Sequence, residues 1–232
     1  MGTGSMNTHT VKVFDDEIGR LRGLISQMGG LAEDAIANAM KALQRNDIAL
    51  AREVRAADKQ IDAIEAEVER LAVQIIALRA PMAIDLREVV AALKIAGVVE
   101  RIGDYAKNIA KRVPMIESEY RIEPISILPA MGRMASEMVH DVLDAFAARD
   151  FEKAMRVVDS DAALDDFYDS IFRTLVTYMV ENPKTVSQVA HLLFVAKNLE
   201  RIGDHATNVA EMVYFAATGT QMADRDRGGL QE

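Results

Sequence analysis

A chain of 232 residues that is 50% apolar and 27% charged can bury a core, and its 5% aromatic content without tryptophan favours helix over strand. A net charge of −9 with no sustained basic run repels polyanions, so nucleic acid is not expected as a partner. The absence of cysteine removes disulfides, iron–sulfur clusters and thiolate zinc sites, leaving oxygen or imidazole for any metal site.

Taken in chain order, residues 1–13 read as a tag and disordered N-terminus: Met1 to Ser5 resembles a cloning scar, Met6 is the expected natural start, and no signal-peptide core is present. A first helix is predicted from about Phe14 to Arg45, closed by Asn46-Asp47 as N-caps of the next. From Val54, the residues Ala57, Ile61, Ile64, Val68, Leu71, Ile75 and Leu78 follow at alternating spacings of three and four, a seam along one face of a second helix. Pro81 marks a loop, and Asp85 is the expected cap of a third helix carrying Ile95, Val98, Ile102, Ala106, Ile109 and Val113. The most apolar stretch, Val89 to Val99, is split by Lys94, so no membrane span is expected and the chain reads as cytoplasmic. Pro114 to Pro124, with Glu117, Ser118 and Glu119 between, is the predicted linker. A fourth helix follows from Ile127 to Arg149, then a fifth capped by Asp150, a loop at Pro183, and a sixth capped by Thr185 or Ser187. The tail from Gly219 is expected to fray.

The same order of elements occurs twice because the chain is a duplication. Glu100-Arg101-Ile102-Gly103-Asp104 recurs as Glu200-Arg201-Ile202-Gly203-Asp204, with Ala106/Ala206, Asn108/Asn208 and Ala110/Ala210 following at the same separation. Upstream, Met28/Met131, Ala32/Ala135, Asp47/Asp150, Ala51/Ala154, Val54/Val157, Asp58/Asp161 and Asp62/Asp165 pair at 103, which places a three-residue shortening near the proline loops. The fold class is therefore all-α, two tandem three-helix bundles over residues 14–118 and 122–218.

Residues four apart on a helix lie one above the other, so Glu100 and Asp104 share a face, with Asn108 a turn further on. If Ile95, Ile102 and Ile109 define the seam, this pair points away from the core toward the surface. The second helix has its own pair, Asp58 and Asp62, and the second copy repeats both as Glu200 with Asp204 and Asp161 with Asp165. An acidic pair at this spacing is most often a solvated face. Here the repulsion of like charges recurs at four related sites, and a shared cation would relieve it. Such oxygen ligands suit Mg, Ca, Mn or Fe, with Zn less natural. Gly103 and Gly203 cost helix stability and admit either a ligand or a packing notch. His205 is peripheral, since its counterpart Tyr105 cannot ligate, and His9, His140 and His191 stand alone. Arg101 and Arg201 admit two roles, surface salt bridges or binding of an anion such as phosphate.

With E-R-I-G-D-x-x-x-N in each unit and D-x-x-x-D on the preceding helix, the chain resembles the PhoU family of bacterial phosphate-signalling regulators. Gln27-Met28-Gly29-Gly30, Pro81 through Asp85-Leu86-Arg87, and His140 through Phe146 resemble family segments too, so the likeness spans nearly the whole chain. It implies two three-helix bundles whose motifs bind metal clusters on the surface through Glu100, Asp104, Glu200 and Asp204, joined less directly by Asp58, Asp62, Asp161 and Asp165. It further implies a negative regulator of phosphate-starvation signalling and Pst uptake, partnered by a PhoR-type sensor histidine kinase and the transporter ATPase PstB, and often homodimeric. Such an adaptor has no catalytic residues. Metal storage or buffering is one alternative. A di-metal carboxylate oxidase is a weaker one, since it would need inward-facing carboxylates and Glu-x-x-His ligand pairs, a pattern the chain is expected to lack.

Overall fold

The structure, a computed structural model, describes residues 4–116 and 122–222, with side chains described from Val13 onward. Every regular element among them is helical: α1 (Gly4–Arg45), α2 (Ile48–Arg79), α3 (Ile84–Arg112), α4 (Leu128–Ala148), α5 (Phe151–Glu181) and α6 (Val186–Thr218). Short 3-10 turns at Val113–Met115, Glu123–Ile127 and Pro183–Thr185 join them. The first helix thus starts ahead of Phe14. Glu117, Ser118 and Glu119 of the predicted linker and the tail beyond Met222 lie outside the described residues.

Two caps hold the duplicated hairpins open at the same point. The Asp47 side chain accepts from the Leu50 amide at 3.0 Å, and that of Asp150 from the Lys153 amide at 2.9 Å, each satisfying one orphan donor of a helix start. Asn46 does not cap; it closes α1 in the left-handed region at φ 50°, as Arg149 closes α4 at φ 56°. At the third helices the expected caps fail. Ala83 precedes α3 without a side-chain bond, Asp85 lies in its first turn, and Ser187 lies inside α6. Thr185 does precede α6, but its hydroxyl donates to the Asn182 carbonyl at 2.8 Å. The proline loops themselves have equal length. The three missing residues come from the helices beside them, one off the end of α5 relative to α2 and two off the start of α6 relative to α3.

The buried face of α2 is Ala51, Val54, Asp58, Ile61, Ile64, Val68, Leu71, Ala72 and Ile75. Ala57 and Leu78, read into the seam from their spacing, are exposed. A straight helix repeats every 3.6 residues rather than 3.5, so a stripe drawn from heptads drifts off the buried line, and Asp58 takes the place assigned to Ala57. On α3, Ala92, Ala96, Val99 and Ala110 are buried beside the predicted Ile95, Ile102, Ala106 and Ile109, while Val98 is only partly buried. The wider buried face follows from position, because α3 packs on α1, α2 and α6 at once.

The two units dock through α1 against α4 and α3 against α6, leaving α2 and α5 on the outside. Gly29 lies against Leu143 and Gly132 against Met40, and these are the same pair of positions exchanged between copies. Arg87 at the start of α3 donates to the Ala216 carbonyl near the end of α6 at 3.2 Å, and Arg112 at the end of α3 meets His191 near the start of α6. The helices therefore run antiparallel about a pseudo-two-fold axis.

Candidate functional site

Gly103 sets the geometry of the first motif. A Cβ at Gly103 would lie 2.7 Å from Ile61 Cδ1 and 3.7 Å from Asp58 Oδ1, and one at Gly203 would lie 2.3 Å from Leu164 Cδ2 and 3.5 Å from Asp161 Oδ1. Both glycines are packing notches, which lets α2 approach α3, and α5 approach α6, closely enough to bring their carboxylates together. Of the two readings of these residues, the notch is the one the structure supports.

In the first unit, burial pushes the Glu100 carboxyl above the usual range, and the negative charges of Asp104, Glu65, Asp62 and Asp58 push the same way. All four residues predicted for this unit therefore share one electrostatic neighbourhood, with Glu65 added. Asp58 is 6% exposed, and the Lys107 ammonium bridges it to Asp104. Hydrogen bonds from Lys107 to Asp58 and Asp104 hold that ammonium well above the ordinary lysine range. Glu65 and Lys107 were legible in principle, since Glu65 stands three residues after Asp62 and Lys107 three after Asp104.

The second unit repeats the carboxylates with different partners. Burial raises both Asp165 and Glu200, and Asp204 adds to each. Lys197 donates to Glu200 Oε1 at 2.5 Å, which opposes the rise at Glu200. The other oxygen, Glu200 Oε2, is buried and takes no hydrogen bond from any described residue.

One cleft across α3 and α6 is bordered by Glu65, Glu100 and Arg101 on one side and by Asp161, Asp165, Asp204 and His205 on the other, so each cluster contributes part of its carboxylates to it. The motifs thus face a groove between the units. Neither Arg101 nor Arg201 forms an ion pair among the described residues; the Arg201 guanidinium lies 5.9 Å from the Tyr105 ring centre. His205 stacks on Tyr105. His140 meets Glu33 and Asp144, and His191 meets Arg112, so neither is isolated; the side chain of His9 lies outside the described residues. One Glu-x-x-His does occur, Glu137 with His140, but both side chains are exposed on α4, away from the acidic clusters.

As ligands, these groups offer hard oxygen donors, Glu100, Asp165 and Glu200 among them at raised pKa, and the unbonded, buried Glu200 Oε2 is an acceptor that a cation would satisfy; by donor chemistry the residues fit a hard divalent ion. Among the described residues, no three carboxylates or imidazoles stand close enough to hold an ion as they are placed. The lysines account for part of this, since each draws carboxylate oxygens onto an ammonium.

The PhoU domain matches this chain twice, over residues 25–113 and 128–213. Across 220 residues the chain is 56% identical to the phosphate-specific transport system accessory protein PhoU homolog of Zymomonas mobilis, covering 95% of this chain and 93% of that one. The homolog of the same name from Caulobacter vibrioides is 45% identical over 224 residues, 95% of this chain and 96% of the other. Crystal structures of PhoU from Pseudomonas aeruginosa (TM-score 0.85, 37% identity, 89% of this chain and 100% of that chain) and of the phosphate transport system regulatory protein PhoU from Streptococcus pneumoniae (TM-score 0.84, 25% identity, 90% and 99%) share its fold. Similarity of this extent, in both units and in their arrangement, makes the chain a member of the PhoU family.

Proposed function

We propose that this chain is an accessory protein of a phosphate-specific transport system. It acts in the cytoplasm as a negative regulator of phosphate-starvation signalling and of Pst uptake, an adaptor between the transporter ATPase PstB and a PhoR-type sensor histidine kinase, with no turnover of its own. The observation that carries this reading is the near full-length identity to relatives that bear the accessory-protein name. Among the described residues no helix is long and apolar enough to cross a membrane, so association with a transporter would run through docking.

Two features of the fold suit docking. The α2–α3 turn exposes Leu78, Met82 and Ile84 at 66%, 79% and 54%, and the α5–α6 turn exposes Val180 at 75%. Apolar side chains at helix-hairpin tips are the kind of surface that a partner's helix or groove covers, or a second copy in a homodimer.

For the metal, Glu100, Asp104, Asp58 and Asp62 would hold a cation in the first unit, and Glu200, Asp204, Asp161 and Asp165 in the second. A bound divalent or iron-type ion supplies positive charge where like charges crowd. The chain's own part is to hold each outer helix against its inner neighbour through the glycine notches, so that carboxylates from both helices border one place.

The test is a pull-down of the purified chain against the kinase and the transporter ATPase, with a phosphate-starvation reporter in a host lacking its own PhoU. Both partners should be retained and repression restored. A reporter that stays derepressed, with neither partner retained, removes the adaptor reading. Elemental analysis of protein purified without chelator tests the metal separately.

A further inference from the structure

The two acidic clusters are copies, yet their lysines are not. Lys107 corresponds to Thr207, which is 2% exposed and turns its hydroxyl onto the Asp204 carbonyl at 2.7 Å, so position 207 offers no charge. Lys197 corresponds to Gly97 and approaches from the opposite end of the motif.

The two ammoniums also do different things. Lys197 bonds Glu200, a residue of its own helix, and lies 5.3 Å from the Tyr168 ring centre. Lys107 ties α3 to α2, because one of its two partners, Asp58, is a buried residue of the other helix. Its Nζ lies 2.9 Å from Asp104 Oδ1 and also contacts Asp58 Oδ2, which places a unit positive charge between a carboxylate of each helix. That is the place a bridging metal ion would occupy, and two cations cannot share it.

We propose that Lys107 is an internal competitor for metal in the first unit: its ammonium serves as the resident cation of Asp58 and Asp104, and a divalent ion binds there only by displacing it. The inference rests on the metal reading above. The first unit then stays docked without metal, and metal binding to it is coupled to release of the lysine, whereas the second unit has no lysine at the matching position.

The experiment isolates the first unit by working in full-length protein carrying Glu200→Gln and Asp204→Asn, and titrates Mn²⁺ by calorimetry. In that background Lys107→Met, which keeps the aliphatic stem, should tighten Mn²⁺ binding by roughly tenfold, the size of effect that groups beside the ligands have on metal affinity. Its melting temperature in chelator should fall, and Mn²⁺ should restore it. Lys107→Arg, which keeps the charge, should bind as the background does. Should Lys107→Met prove too unstable to titrate, its circular-dichroism melt with and without Mn²⁺ still decides, since the proposal requires rescue by the ion. Mn²⁺ binding that is unchanged in Lys107→Met overturns the competitor while leaving the metal reading intact. No binding by background or variant overturns the competitor together with the metal reading of the first unit.

Discussion

Tyr105 and His205 hold the same position in the two copies and stack on one another, ring centres 5.3 Å apart and planes 23° from parallel. Only a position on the pseudo-two-fold axis can touch its own counterpart, so this contact marks where the axis crosses α3 and α6. The two rings are joined by a hydrogen bond as well as by stacking. Asn208 Nδ2 can only donate, so His205 Nδ1 accepts from it at 3.2 Å, and the ring proton sits on Nε2, which donates to the Tyr105 hydroxyl at 3.2 Å.

That arrangement needs a neutral imidazole, and it makes stability depend on pH. Burial holds the His205 pKa below its ordinary value, and Arg101 and Arg201 add to this against the opposing pull of Asp204; His191 is lowered in the same way by burial and Arg112. The unfolded chain takes up protons near its ordinary histidine pKa of about 6.5 while the folded chain does not. Their stabilising contribution is therefore present above that value and is lost as the pH falls toward the folded pKa. Melting temperature should drop between about pH 7.5 and 5.5. In His205→Phe, which keeps a ring on Tyr105, the drop should shrink. Comparing variant with parent cancels the carboxylates, whose raised pKa values give a slope of opposite sign. Equal slopes in both proteins would rule out His205 as the titrating group.

Much of this fold was legible because its repeat is written in side-chain identity. The motif pairs at 100 and 103, and the caps Asp47 and Asp150, are local features that short polar side chains and fixed spacing betray. Asp58 was legible as an acid but not as a buried one. A charge on a buried face is tolerable only with its partner, and Lys107 lies 49 residues away on another helix. The docking of α1 on α4 and α3 on α6 was hidden for a similar reason. It depends on how two finished surfaces fit, and Gly29 against Leu143 has no trace in periodicity. The cleft is a product of that docking, which is why the motifs looked merely superficial when read one helix at a time.

The glycine notches predict that one substitution has opposite signs at two places. Gly30 is exposed in α1 with nothing near its missing Cβ, so Gly30→Ala should stabilise by up to about 1 kcal/mol through helix propensity. Gly203→Ala makes the same gain but drives its methyl into Leu164, which is fully buried and cannot swing away. Overpacking of this kind costs about 1–3 kcal/mol, so the net effect should be a loss of about 1 kcal/mol. Urea melts measure both. A Gly203→Ala protein as stable as Gly30→Ala would mean α5 and α6 are not in close contact at that point.

Glu100 predicts a stabilising loss of charge. Its raised pKa, caused first by burial and then by Asp104, Glu65, Asp62 and Asp58, means that its ionised form is disfavoured by folding. The associated stability is present below the ordinary carboxylate range and is lost as the pH rises through the folded pKa. Glu100→Gln should therefore stabilise the chelated protein at pH 7 by about 0.5 kcal/mol, a magnitude usual for relieved like-charge pairs, with no gain near pH 4. Adding Mn²⁺ should reverse the ranking, because the variant has lost a ligand. A variant less stable than the parent in chelator at pH 7 would show that Glu100 sits in a favourable field, contrary to the cluster described.

Glu88 ties the units together and should outweigh any surface ion pair. It is 6% exposed, and its two oxygens take the guanidiniums of Arg22 on α1 and Arg149 at the end of α4. Arg20 and Glu67 form a pair of similar chemistry at 62% and 34% side-chain exposure. Exposed pairs contribute about 0–1 kcal/mol because solvent screens them and side-chain ordering opposes them. Hydrogen bonds to charged groups in a shielded place contribute about 1.5–3 kcal/mol, and Arg149, itself half-exposed, can recover part of its hydration when its partner is removed. Glu88→Ala should accordingly cost about 2 kcal/mol and Glu67→Ala less than about 0.5 kcal/mol, measured by denaturant melts at equal ionic strength. Raising the salt to 1 M should erase the smaller loss and leave most of the larger, since the Debye length then falls to about 3 Å but the buried pair excludes ions. Equal losses at the two sites would mean that Glu88 is solvated in solution and that α3 is not anchored to α1 and α4 through it.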